Sequence, residues 1–169
     1  GEAANVVPAH AAGTFLVRAE DDEYLEVLRE RVLQCFRAGA LATGARLEFH
    51  WAEVRYRALR TNLALAELFA RNLRSLGREV LPPGPDGGLG STDMGNVSAI
   101  MPAIHPSIAI CSDGVAGHSP EFALAAASDE GHRGMLDAAK ALAMTAIDLL
   151  GDRDALAQVK TEFAQVAPS

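Results

Sequence analysis

The chain has 169 residues, of which 49% are apolar and 22% are charged. This length and composition are enough to bury a hydrophobic core, either as one domain or as two small ones. Its 15 basic and 22 acidic residues give a formal net charge of −7, which excludes nucleic acid and anionic membranes as expected partners. No apolar stretch approaches the roughly 20 residues that cross a bilayer, and no charged-then-apolar leader precedes the first predicted elements, so we expect a cytoplasmic protein.

Residues 1–53 have the predicted order strand, strand, helix, strand. "ANVVP" and "GTFLVRA" are short β-rich runs. Asp21 then begins a helix as its N-cap, and Gly44 ends that helix. The run "ARLEFHWA" alternates apolar and polar residues, as a half-exposed strand does. This order predicts a small sheet with one helix across one face.

Residues 54–169 have the pattern of an α/β half-domain. A helix over about 61–76 ends at Gly77, and "LPPGPDGGLGSTDMGN" follows as a long irregular loop, of the kind that is often functional. "VSAIMPAI" and "SIAIC" are nearly continuous apolar runs, typical of strands that are buried on both faces. A helix from about Ser128 to Gly151 and a last helix complete the pattern. The apolar stripe of the longer helix is predicted to contain Met135, Ala138, Ala139, Leu142, Ala146 and Leu149.

The two cysteines, Cys35 and Cys111, are most simply interpreted as buried thiols. Cys35 lies in a helical pattern and Cys111 ends an apolar run. A cytoplasmic location disfavours a disulfide between them.

His118 stands in the stretch "AGHSPEF", directly before a predicted helix. Ser119 is a good N-cap and Pro120 is the residue preferred at the first helical position. The positive end of the helix disfavours an imidazolium, which keeps the ring in the neutral form that binds metals. A single histidine supplies only one of the three or four donors of a metal site. A structural loop residue and a metal ligand are both consistent with the residues alone.

Two further sets of polar residues are candidates for binding. Ser91, Thr92, Asp93 and Asn96 lie in the turn "GSTDMGN", where backbone N–H groups suit an anion, unless Asp93 and Asn96 only bond their own backbone. Arg18 closes a strand-like run, and a guanidinium there suits a planar carboxylate, although a solvated strand end is the simpler interpretation. His105, between Ile104 and Pro106, is interpreted as a turn residue. The residues alone name no reaction.

The order of three phrases resembles the C-terminal part of the aminoacylase/carboxypeptidase family of co-catalytic zinc peptidases. The phrases are "GEAANVVPAHAAGTFLVRA", "GSTDMGNVSAIMPAIHP" and "GHSPEFALAAASDEGHRGMLDAAKALAMTAIDLL". They are most similar to the amidohydrolase branch, which includes aminobenzoyl-glutamate hydrolases, N-acyl amino acid amidohydrolases and a β-alanyl dipeptidase. The resemblance extends over nearly all of the chain, and "STDMGNVS" followed by "HSPEF" is its most specific part.

The resemblance implies an α/β fold class, with residues 1–53 as the later part of a lid domain that forms a homodimer and residues 54–169 as the returning half of a catalytic domain. It implies that His118 is a metal ligand. It implies that Asn5 and Arg18 hold the peptide oxygen and the carboxylate of the substrate, and that Ser91, Thr92 and Asp93 line the substrate site.

The resemblance also implies groups that this chain does not contain. The family's earlier metal ligands, and the glutamate that acts as general base, lie in an N-terminal half. We therefore expect a truncated two-domain metallopeptidase fold whose longer form hydrolyses an N-acyl amino acid, aminobenzoyl-glutamate or a dipeptide with two divalent ions, zinc or manganese. The alternative is that the chain is a non-catalytic dimerisation or scaffold unit.

Overall fold

The computed structural model describes residues 3–82 and 91–166. The chain divides into two compact units, Gly1–Arg55 and Tyr56–Ser169, close to the boundary expected at residue 53. Half of the predicted glycine- and proline-rich loop, residues 83–90, lies outside the described residues. The assignment of the two units as lid and catalytic parts stays a prediction.

The first unit contains one long helix, α1 (Asp22–Thr43), whose ends are those that the sequence predicts. The side chain of Asp21 accepts a hydrogen bond from the backbone N–H of Tyr24 at 2.7 Å. Gly44 ends the helix in the left-handed conformation, with φ of 70°, which glycine adopts without steric cost. Leu25 and Leu33 are the residues that α1 buries.

Aromatic and charged side chains connect α1 to the segment that follows it. The guanidinium of Arg29 lies over the Trp51 ring, 4.5 Å from its centroid, and Glu26 pairs with both Arg29 and Arg55. Desolvation raises the pKa of Glu26, but the hydrogen bonds and charges of Arg29 and Arg55 outweigh it and hold the pKa below its ordinary value.

The second unit contains five helices among its described residues. They are α2 (Leu63–Ser75), α3 (Met94–Ser98), α4 (Pro120–Ala126), α5 (Asp129–Gly151) and α6 (Arg153–Val166). Phe69 and Leu73 of α2 pack against Ala141 of α5, and four partly buried apolar residues surround this cluster: Leu76, Val80, Ile104 and Ile108. The core therefore lies between two helices and the apolar segment 104–108.

The predicted strands do not form a sheet within the described residues. The one strand-like pairing in the described part of the chain is a parallel bridge between Thr61 and Ala103, in which Asn62 donates its N–H to the carbonyl of Ala103 at 3.0 Å. The run "VSAIMPAI" begins inside α3, so its interpretation as a strand from residue 97 is wrong. A strand needs a neighbour to satisfy its backbone groups, and the described segments supply a single pair. The α/β class stays a prediction.

The predicted burial also differs at two places. Met135 and Leu142 of α5 are 59% and 53% exposed, while the helix buries Gly131, Gly134, Ala141 and Thr145. Gly131 lies against the backbone of Ala125 and Ala126, and Gly134 lies against the side chain of Ile110. Cys35 is exposed rather than buried, and both cysteines are free. None of the helices in the described part of the chain is long and apolar enough to cross a membrane.

Candidate functional site

His118 lies at the start of α4, as the sequence predicts. The side chain of Ser119 accepts the N–H of Phe122 at 3.1 Å, and Pro120 occupies the first turn. His118 is exposed and has φ of 63°, which makes it the one residue other than glycine with a positive φ in the part of the chain that the structure describes. A left-handed conformation costs a residue with a Cβ roughly 1–2 kcal/mol. Strained residues of this kind cluster at functional sites, so the backbone adds a reason to consider His118 as a ligand.

The turn before α3 is held by Thr92. Its Oγ1 accepts the N–H of Met94 at 3.2 Å, and its carbonyl accepts the N–H of Gly95 at 3.3 Å. Asp93 precedes α3 but makes no side-chain capping hydrogen bond. The local turn chemistry expected of Asp93 is therefore supplied by Thr92, and the Asp93 carboxylate is exposed.

The same turn is attached to the segment before α2 by two side chains that sequence reasoning did not place there. Asn96 accepts the N–H of Arg57 at 2.8 Å, and Ser98, which is fully buried, accepts the N–H of Arg60 at 3.0 Å. Asn96 thus bonds a distant backbone group and not only its own turn. Nothing in the sequence marks Ser98, because its partner lies 38 residues away.

Gly95 allows this attachment. A Cβ at Gly95 would collide with the backbone carbonyl of Arg57. The glycine therefore lets α3 lie directly on the chain before α2. The turn is held by these contacts with the chain before α2, while Ser91 and Asp93 remain exposed.

His105, which sequence reasoning assigned to a simple turn, lies beside Thr92. Its Nδ1 lies 3.2 Å from Oγ1 of Thr92, and the side chain is exposed. The available signal was its position directly after the apolar run "VSAIMPAI". Its partner, 13 residues earlier in the chain, could not be recognised without the tertiary structure.

Asn5 and Arg18 belong to the first unit, whereas the other four predicted site residues belong to the second. Asn5 is exposed in a turn that is closed by the N–H of Val6 bonding the carbonyl of Ala3 at 3.2 Å. Arg18 is exposed between two half-buried residues, Val17 and Ala19. Both side chains are accessible to a ligand, as substrate-binding residues must be.

A metal site needs three or four converging donors. Within residues 3–82 and 91–166, no three His, Cys, Asp or Glu side chains lie together in a way that could hold an ion. His118 and the exposed carboxylate of Asp93 do not form such a set. The described residues therefore do not fit a complete metal centre.

The chain is similar to two curated proteins that are described as Xaa-Arg dipeptidase, one from Homo sapiens and one from Mus musculus. Each is 35% identical over 161 residues, which cover 94% of this chain and 37% of the relative. The chain thus spans little more than a third of the length of these relatives. No protein-family model matches it. The similarity supports a relationship to peptidases in general. This agrees with the resemblance of the three sequence phrases to a peptidase family.

Proposed function

We propose that this chain is the C-terminal part of a hydrolase that cleaves the amide bond of a dipeptide or of an N-acyl amino acid. The observation that carries the proposal is the 35% identity to two dipeptidases over 94% of the chain. In this proposal, the remaining part of the catalytic centre belongs to a longer polypeptide, which agrees with the 37% share of the relatives that the chain spans.

Substrate recognition is assigned to side chains that the structure leaves exposed. The guanidinium of Arg18 grips the terminal carboxylate of the substrate through two parallel hydrogen bonds. Asn5 donates its amide N–H to the peptide oxygen, where negative charge develops during hydrolysis. Ser91 and Asp93, which are exposed, and the half-buried Thr92 are assigned to substrate contact as well, on a turn that is fixed by its bonds to residues 57–60.

His118 is proposed as one ligand of two divalent ions, zinc or manganese. The other ligands and the general-base glutamate would come from outside this chain. Two observations support this role. The backbone of His118 is exposed and left-handed, as at many functional sites. The residue also lies at the start of α4, whose positive end favours the neutral imidazole that binds metal. Such ions, when bound, polarise a carbonyl and lower the pKa of water.

The alternative function, a non-catalytic dimerisation or scaffold unit, is favoured by a different observation. Large apolar side chains of the first unit are exposed, among them Phe15, Leu16, Val27, Leu41 and Phe49. Exposed apolar groups that lie together mark interaction surfaces. Dimerisation through this unit is compatible with either function. For both functions, we propose a cytoplasmic location.

The experiment compares the 169-residue chain with the longer polypeptide encoded by its gene. We expect the longer protein to hydrolyse dipeptides or N-acyl amino acids and the 169-residue chain to have no such activity. Hydrolysis by the short chain with stoichiometric metal would disprove the idea that the remaining catalytic groups lie elsewhere.

In the longer protein, His118→Asn is the informative variant, because asparagine tolerates a positive φ but lacks the imidazole. We expect lower metal content by elemental analysis and a loss of turnover by orders of magnitude. His132→Asn is the matched control, since His132 is exposed on α5. Normal metal content with a normal rate in His118→Asn would exclude His118 as a ligand.

A further inference from the structure

His105 directly follows two residues that are held by contacts with other segments. Ala103 is 6% exposed and forms the bridge with Thr61, and Ile104 packs against the cluster of Phe69, Leu73 and Ala141. The backbone of His105 is therefore fixed at the edge of the core, while its ring is exposed. A residue placed in this way can present a side chain to a ligand without reordering the chain.

The hydrogen bonds around Thr92 bear on the protonation pattern of the His105 ring. The Thr92 hydroxyl has one hydrogen and already accepts the N–H of Met94 at 3.2 Å. Among the described residues, His105 Nδ1 is the acceptor within reach of that hydrogen, at 3.2 Å. The Thr92 oxygen can also accept a second hydrogen bond, so the geometry permits either tautomer. When Thr92 donates to an unprotonated Nδ1, the proton of the neutral ring is on Nε2.

The Nε2–H group then has no hydrogen-bond partner among the residues that the structure describes. It belongs to the same exposed surface as the turn of Ser91 and Asp93, to which Thr92 ties the ring. A fixed, neutral N–H donor suits a carbonyl or carboxylate oxygen. In a dipeptide or an N-acyl amino acid, these oxygens are the acceptors of the amide and of the terminal acid group.

We propose that His105 is a substrate-binding residue that donates Nε2–H to an oxygen of the substrate, and that Thr92 is the positioning residue that fixes its tautomer. This inference rests on the proposed function, since it takes its ligand class from there. It adds a contact that neither the sequence phrases nor the similarity to dipeptidases assigns.

The tautomer is tested on the 169-residue chain by ¹H–¹⁵N NMR of histidine rings at neutral pH. We expect the His105 signals of a ring protonated at Nε2. Thr92→Val, which removes the hydroxyl and keeps the shape, should change the ratio of the two tautomers, and Thr92→Ser should preserve it. A ring protonated at Nδ1 in the unsubstituted chain would overturn the positioning role of Thr92.

The substrate contact is tested by steady-state kinetics of the longer protein with two variants that mimic opposite ends of the imidazole. His105→Asn retains a group near Nδ1 and loses the outer donor, and we expect KM to rise roughly threefold to tenfold with little change in kcat, as for one lost neutral hydrogen bond. His105→Gln places an amide near Nε2 and should remain closer to the unsubstituted protein.

The reverse order, with His105→Asn normal and His105→Gln impaired, would show that the bond to Thr92 is the whole role of His105. Unchanged kinetics in both variants would also overturn the contact. If the unsubstituted longer protein hydrolyses neither dipeptides nor N-acyl amino acids, the proposed function and the substrate contact are both lost. The NMR result then still decides the Thr92–His105 arrangement.

Discussion

Gly95 shows how one residue without a side chain fixes the position of the candidate site. It lies in α3 beneath the exposed turn, and its Cα faces the carbonyl of Arg57 at a distance that leaves no room for a Cβ. The hydrogen bonds of Asn96 and Ser98 to the same segment depend on that close approach. Gly95 therefore matters for packing, although it lies in a helix, where alanine has the higher intrinsic propensity.

We expect Gly95→Ala to destabilise the second unit by about 1–3 kcal/mol, because the added methyl group must displace backbone rather than a side chain. Urea unfolding measures this loss. Gly151→Ala is the matched control, since a Cβ there meets nothing within 4 Å at the end of α5, and it should be neutral or stabilising by up to about 1 kcal/mol. Similar stability of the two variants would contradict the close contact.

At the scale of elements, the start of α2 is joined to the last helix by polar groups. Asn62 is 4% exposed, caps α2 by accepting the N–H of Leu65 at 2.9 Å, and donates its amide to the carbonyl of Val159 at 3.0 Å. Glu162 of α6 accepts the N–H groups of Leu63 at 2.6 Å and Ala64 at 2.7 Å. These bonds satisfy donors that every helix leaves free in its first turn.

Glu162→Gln should lower the free energy of unfolding by about 1 kcal/mol, because it removes one acceptor and the negative charge that faces the positive end of α2. The measurement is urea unfolding monitored by circular dichroism. Glu79→Gln makes the same chemical change at an exposed position outside the helices, and we expect an effect within about 0.5 kcal/mol. Equal effects at the two positions would mean that Glu162 does not cap α2.

At the scale of the whole molecule, the first unit leaves large apolar side chains exposed to solvent, and a single copy of the chain does not bury them. Val27 is 54% exposed and Leu41 is 85% exposed, and both lie on α1, roughly four turns apart and so on one face of the helix. An exposed strand edge would be another pairing surface, but no strand occurs in the described part of this unit. We therefore propose the face of α1 as the dimer contact.

We expect the chain to form a dimer that dissociates when Val27 and Leu41 are both replaced by glutamate. Two copies related by a two-fold axis would bury these side chains against each other, and glutamate would place charge in that contact. Size-exclusion chromatography with light scattering measures the mass in solution. Leu150→Glu is the control, because Leu150 is 89% exposed on α5 in the other unit. A monomer at high concentration, or a dimer that the double variant leaves intact, would reject this surface.

The sequence by itself determined both ends of α1 and the starts of α4 and α5. Asp21 and Gly44 bound α1, and Ser119 and Ser128 begin α4 and α5, as their residue types predict. These predictions succeed because a cap bonds backbone that lies three residues away, so the cause and its effect are in the same stretch of chain. The exposed position of His118 before α4 follows from the same local signals, whereas its roles, and those of Asn5 and Arg18, stay predictions.

Only the tertiary structure decided which residues are buried and which polar groups meet. The apolar pattern of α5 favoured Met135 and Leu142 as core residues. The helix instead buries Gly131, which lies against the backbone of α4, and Gly134, which lies against the Ile110 side chain. Thr92 meets His105, and Ser98 meets Arg60, because folding brings together segments that lie 13 and 38 residues apart. Such contacts leave no local period in the sequence, since they depend on how closely one element approaches another and not on the residues beside them.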